Sequence, residues 1–169
     1  MYNKFGEFNS WEELNIAAEG QKAEGDEAAL KDLAKENGID IEDAEDYFDG
    51  ALKTLCNPMT AALGKIKVEA DDIKPVGGMK DWVAYINTQI HEDENFAIAV
   101  RRKGKNLIDC IYKIMIFAEK NQYKLSSDFG KQLAKAAGIK KVPHEVTFGI
   151  PESREIHMII RHYYLGGDS

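Results

Sequence analysis

Six carboxylates crowd one short stretch of the chain: Asp40, Glu42, Asp43, Glu45, Asp46 and Asp49. No base follows any of them four residues on until Lys53. Like charges at that spacing repel on a helix, and acids also suit the first turns and the solvated face of one. Carboxylates three or four residues apart lie about 5–6 Å apart along a helix. A DNA strand carries one charge per ~3.4 Å of axis. The stretch is therefore a partial imitation of a phosphate track, and its chemistry is attraction of a cationic partner surface.

A second group has the opposite sign. Arg101, Arg102, Lys103 and Lys105 sit at a turn between two helical patterns, and Lys140 and Lys141 join them if the fold brings the two stretches together. Cations suit a helix C-terminus, and the same patch would contact nucleic acid or an acidic protein. The other reactive side chains form no recognisable catalytic set. Gly77-Gly78 lacks a Walker-type lysine, and no serine lies in a GxSxG turn. The histidines at 91, 144, 157 and 162 include no pair four apart, and there is no CxxC, so neither a metal nor a cofactor is expected. His157 and His162 read as rim residues, and Tyr163-Tyr164 as an anchor with one phenol at the surface. No residue is assigned a catalytic role.

These groups belong to a chain with a strong charge asymmetry. Residues 1 to 72 hold 18 acids against 7 bases, whereas residues 101 to 141 hold 11 bases against 3 acids. The two halves thus either hold each other or present opposite signs to partners. No charged-then-apolar leader opens the sequence, and Cys56 and Cys110 occupy apolar helical positions. The expectation is a cytoplasmic protein without disulfides or a membrane span.

Helical grammar accounts for nearly all the rest. Ser10-Trp11-Glu12-Glu13 is a capping box, Asp26 and Asp40 cap a second and third helix, and Asn57-Pro58 opens a fourth. Gly50 marks a possible break in the third. The segment 71–78, DDIKPVGG, is the best boundary, dividing an acidic helical region, 1–72, from a helical unit, 73–169. Beyond it come a fifth helix around Trp82 and Ile86, a sixth capped by Asp93, an eighth capped by Ser126 or Ser127, and a last from about Pro151. LAKENGI at Leu33 and LAKAAGI at Leu133 read as two ordinary glycine-ended helices and not as a repeat.

The run 105–124, KNLIDCIYKIMIFAEKNQYK, is apolar around nearly its whole circumference. Only Asp109, Lys113 and Lys120 share a polar strip, with Asp109 and Lys113 spaced to pair. This segment reads as a buried central helix. The fold class expected is all-α, a compact bundle of about eight or nine short helices around it, with at most a minor extended or hairpin segment near 142–150.

Three linked pieces carry a resemblance. Trp82-Val83-Ala84-Tyr85-Ile86 precedes His91-Glu92-Asp93-Glu94-Asn95-Phe96-Ala97. Lys105, Leu107, Cys110, Ile114, Ala118 and Lys120 then give a KxLxxCxxxIxxxAxK helix. Glu155-Ile156-His157-Met158 with His162-Tyr163-Tyr164 closes the series. From about Met79 to Leu165 this order resembles the PcfK-like family, small proteins of conjugative plasmids and other mobile elements that include an inhibitor family of type II CRISPR nucleases. The chain departs from short members in its acidic segment 1–72 and in an insertion between the central and last helices. The resemblance implies a binding protein and not an enzyme: an anti-CRISPR that engages an RNA-guided nuclease, its acidic face competing with DNA. An alternative is a conjugation accessory protein that touches nucleic acid through the basic 101–141 region.

Overall fold

A computed structural model describes residues 3–139 and 147–166. The described residues form nine helices and one pair of two-residue strands, so the all-α expectation holds. Helix α1 (Trp11–Ala23) starts where the Ser10 hydroxyl accepts the Glu13 N–H at 3.3 Å. The Glu13 carboxylate reaches one residue further back than a standard capping box, to the Asn9 N–H at 2.8 Å. Helix α2 (Glu27–Glu36) is capped by Asp26 and ends at Gly38, whose φ of 68° lets the Ile39 N–H donate to Ala34 O. Helix α3 (Ile41–Asp49) stops at Gly50, which is left-handed at φ 86°. The possible break there is thus the end of the helix.

Asn57 and Pro58 open α4 (Pro58–Ile73) as their types demand, Asn57 accepting the Thr60 N–H at 2.8 Å. There follow α5 (Gly78–Glu92), α6 (Glu94–Arg101), α7 (Leu107–Lys120), α8 (Ser127–Ala136) and α9 (Ser153–Leu165). Strand β1 (Tyr123–Lys124) pairs antiparallel with β2 (Thr147–Phe148), Tyr123 opposite Phe148. The minor extended segment therefore lies at 147–148 and its partner at 123–124. The remainder of that expectation, residues 142–146, lies outside the described residues.

Two apolar clusters fill the interior. In one, Leu14, Leu30, Leu33, Ile39 and Tyr47 from α1–α3 and the segment after α2 meet Leu55, Cys56 and Ala61. In the other, Ile86, Ile90, Phe96, Val100, Cys110, Ile114, Ile160 and Tyr164 from α5, α6, α7 and α9 meet Ala62 and Ile66. Helix α4 belongs to both, Ala61 packing in the first cluster and Ala62 and Ile66 in the second. The boundary read at 72/73 falls at the C-terminus of this shared helix.

The centre of the bundle is not α7 but the crossing of α4 with α6, the most extensive helix contact in the molecule. Helix α7 buries one face, Leu107, Cys110, Ile111 and Ile114, and leaves Ile108, Tyr112, Met115 and Ile116 exposed. Its apolar circumference does not mean burial all round, because α4 and α9 supply cover on one side only. Nor does Asp109 pair with Lys113, whose ammonium lies 5.8 Å from the centre of the Tyr163 ring on α9.

Candidate functional site: a carboxylate face beside a buried ionic cluster

Helix α3 turns Ala44 and Tyr47 inward, which leaves most of its carboxylates at the surface. Glu42, Glu45, Asp46 and Asp49 are exposed, as is Asp40 before the helix, and Asp43 is half-buried. Two of the six have lysine partners. Asp40 meets Lys67 at 3.4 Å, and Glu45 meets Lys31 at 2.6 Å. Lys31 also holds Glu27 at 2.7 Å, and these hydrogen bonds, Glu27's first, keep its ammonium protonated well beyond the usual lysine range. Glu42, Asp46 and Asp49 stand at the i, i+4, i+7 positions of one line, about 10 Å from end to end at 1.5 Å per residue. Among the described residues no ion pair engages those three.

The negative surface continues past the helix. A groove of about 570 Å³ separates the start of α3 from the end of α4, lined by Asp40, Asp71 and Asp72 as well as Lys35 and Lys67. Arg101 and Arg102 take no part in neutralising this face.

The basic patch does not assemble as its spacing suggested. Arg101 is 1% exposed. It follows Ala97 by one turn on the buried face of α6, its guanidinium donating to Asn37 Oδ1 at 2.9 Å and to Phe8 O at 3.5 Å, with Nε unpartnered. Arg102 and Lys103 are exposed at the turn. Lys105 turns toward α9, 5.4 Å from the Tyr163 ring centre and 3.5 Å from Gly166 O. Lys140 and Lys141 lie outside the described residues.

Beneath the surface lies a cluster that sequence reasoning missed. The Lys65 ammonium, fully buried, donates to Glu7 Oε1 and to Arg102 O, each at 2.8 Å, and lies 3.9 Å from Glu69 Oε1. Glu69 Oε2 accepts the Leu107 N–H at 2.8 Å, at the first residue of α7. Burial drives the Glu69 carboxyl up to about 7, only partly offset by Lys65 and the Leu107 N–H. Burial lowers Lys65, with Glu69 and Glu7 opposing the shift. With Arg101 and Asn37 nearby, this set ties the N-terminal segment, α2, α4, α6 and α7 to one another. A signal existed: Ala61, Lys65 and Glu69 recur every four residues, on one face of α4.

The remaining candidates are structural. The ring of His157 stacks on that of Tyr85, with centroids 3.6 Å apart, and His91 Nδ1 lies 3.1 Å from Met59 Sδ. Neither phenol of Tyr163-Tyr164 reaches the surface as expected. Both side chains are buried, the Tyr163 hydroxyl accepting the Asn106 N–H at 2.8 Å. The second tyrosine falls inward because α9 is packed by α5, α6 and α7 together. Cys56 and Cys110 are unbridged and buried, and burial pushes both thiols up to about 12. Among the described residues no three His, Cys, Asp or Glu side chains converge on a metal-sized site, and no helix is long and apolar enough to cross a membrane.

Comparison with known proteins gives no matching family model, no matching curated protein and no matching solved structure.

Proposed function

We propose that this chain is a non-enzymatic inhibitor from a mobile element that binds a type II RNA-guided nuclease through the α3 carboxylate face. The observation that carries the reading is the line Glu42, Asp46, Asp49, exposed and, among the described residues, not engaged in ion pairs, next to a groove lined by Asp40, Asp71 and Asp72 together with Lys35 and Lys67. Such nucleases hold nucleic acid in a positively charged channel and read a short duplex motif with arginines. An acidic helix fits that channel by charge and competes with DNA for it. The ordered resemblance of residues 79 to 165 to the PcfK-like family supplies the class of partner. Nucleic-acid binding through the basic turn draws less support, because Arg101 is withdrawn into the interior.

A DNA-cleavage assay with a panel of type II nucleases tests this. The protein slows cleavage and co-elutes with at least one nuclease. The triple variant Glu42→Lys, Asp46→Lys, Asp49→Lys loses both effects while keeping its melting temperature. Unimpaired cleavage across the panel, or full inhibition by the triple variant, overturns the proposal. A salt-sensitive gel shift of DNA by the protein alone would favour the nucleic-acid reading instead.

A further inference from the structure

Asn37 and Gly38 form the one Asn-Gly pair in the chain, at the end of α2. An asparagine side chain is open to attack by the backbone nitrogen of the next residue, and glycine, without a Cβ, hinders that attack least. In the reaction the Gly38 nitrogen gives up its proton and bonds to Asn37 Cγ. The Cγ–Nδ2 bond breaks, and the amide leaves as ammonia with that proton. Water then opens the resulting succinimide ring at either carbonyl, giving aspartate or isoaspartate.

The folded chain withholds every atom this chemistry needs. Asn37 is 2% exposed. Its Nδ2 donates to Leu33 O and its Oδ1 accepts from the Arg101 guanidinium, each at 2.9 Å. The attacking nitrogen is occupied as well, the Gly38 N–H donating to Lys35 O at 3.2 Å. Ring closure also swings the Asn37-Gly38 peptide. That peptide lies so close to α4 that a methyl group on Gly38 or on Gly64 would overlap the opposing backbone. The end of α2 must therefore part from α4 before the nitrogen reaches Cγ.

The two products differ in whether the contact can close again. Aspartate leaves the backbone as it was and sets a carboxylate on Arg101, which already binds the Asn37 side chain. Isoaspartate routes the main chain through Cβ and Cγ, adding one carbon between residues 37 and 38 and leaving a charged carboxylate beside it. A contact without room for a methyl group resists that extra carbon.

We propose that Asn37 is a deamidation site guarded by the contact of Gly38 with Gly64: opening of this contact exposes it, and conversion to isoaspartate bars the contact from re-forming. A molecule that has opened for long enough is thereby retired. The inference is independent of the α3 surface and of the partner assigned to it.

Ammonia release and peptide mapping of the full chain, held at neutral pH with and without guanidinium chloride, test this. Asn37 converts in denaturant and is at least about a hundredfold slower in the native protein, where reaction waits for opening. Gly64→Ala, which wedges the contact, speeds the native rate about tenfold and leaves the rate in denaturant unchanged. Mapping separates Asn37 from Asp49-Gly50, the one Asp-Gly pair, which closes the same ring with loss of water and no ammonia. After removal of denaturant the chain carrying isoaspartate at position 37 melts below the variant Asn37→Asp, which stands for the other product. A native rate within about threefold of the denatured one, a native rate that Gly64→Ala leaves unchanged, or an isoaspartyl chain that melts with the parent overturns the proposal.

Discussion

Gly38 and Gly64 stand back to back where the end of α2 meets α4. A Cβ added to Gly64 would overlap the Asn37 carbonyl oxygen, and one added to Gly38 would overlap the carbonyl of Gly64 itself. Gly38 is doubly constrained, since its φ of 68° is also one that other residues resist. The contact sets how closely the acidic N-terminal helices approach α4, and it holds Asn37 in place to receive Arg101.

Gly64→Ala therefore destabilises the protein by about 2 kcal/mol, despite alanine's better helix propensity, because two backbones must part. Gly20→Ala, inside α1 with open space around the added methyl, gains about 0.5–1 kcal/mol. Urea midpoints of the two variants move in opposite directions. Equal shifts would show that the close approach is soft.

Lys65→Met leaves Glu7 and Glu69 facing each other without their cation. Removing one member of a buried ionic set costs about 3–5 kcal/mol, far above a surface lysine, for which Lys53→Met is the control. Adding Glu69→Gln to Lys65→Met recovers part of the loss, so the two changes are not additive. Chemical denaturation of the four proteins measures this.

Glu69 gives stability a particular dependence on pH. Its carboxyl titrates near 7 in the folded protein, above the ordinary 4.5, so the native state holds a proton that the unfolded chain releases. The group's contribution is complete below about pH 4.5 and is lost as pH rises through 7. The unfolding free energy of the parent, measured relative to Glu69→Gln, falls by on the order of 3 kcal/mol between pH 4.5 and 8. A difference that stays constant over that range would place Glu69 in contact with water.

Cys56 and Cys110 are inert in the native state. With both thiols pushed to about 12 by burial, Ellman's reagent at pH 8 finds neither, and finds two per chain in denaturant. Rapid labelling of native protein at Cys110 would mean that the α7–α9 interface opens easily.

Local chemistry was legible in the sequence. Ser10, Asp26, Asn57, Asp93 and Ser126 each accept a backbone N–H at the helix start their types announced, because a cap involves only residues two or three apart; Asp40, expected to cap α3, stands at its N-cap position without a side-chain hydrogen bond to it, its carboxylate meeting Lys67 instead. The inward face of α3 was less plain: Tyr47 is buried beside Ala44, while Ile41, apolar and on the helical line of Ala44 and Phe48, is 38% exposed. What depended on distant partners did not show. Lys65 and Glu69 are spaced like any solvated pair, and only the approach of Glu7 and Leu107 makes them interior. Arg101 looked like the cation at the end of a short helix until Asn37, 64 residues away, supplied its partner. The apolar girth of α7 implies packing on every side but its polar strip, yet one face alone is covered, because the sequence says what a face is made of, not whether another element arrives to cover it.

Helix α4 is a party wall, with one apolar cluster resting on each side. Neither half of the chain owns it, so the change of charge at residue 72 is not a seam along which the protein comes apart. Opening either side exposes the other, and the most protected amides of α2 and of α6 should exchange with solvent at one shared rate. For the same reason the acidic region is not an ornament added to a self-sufficient C-terminal unit. Any ancestor that gained or lost residues 1 to 72 as a block would have had to rebuild the floor of its remaining core in the same step.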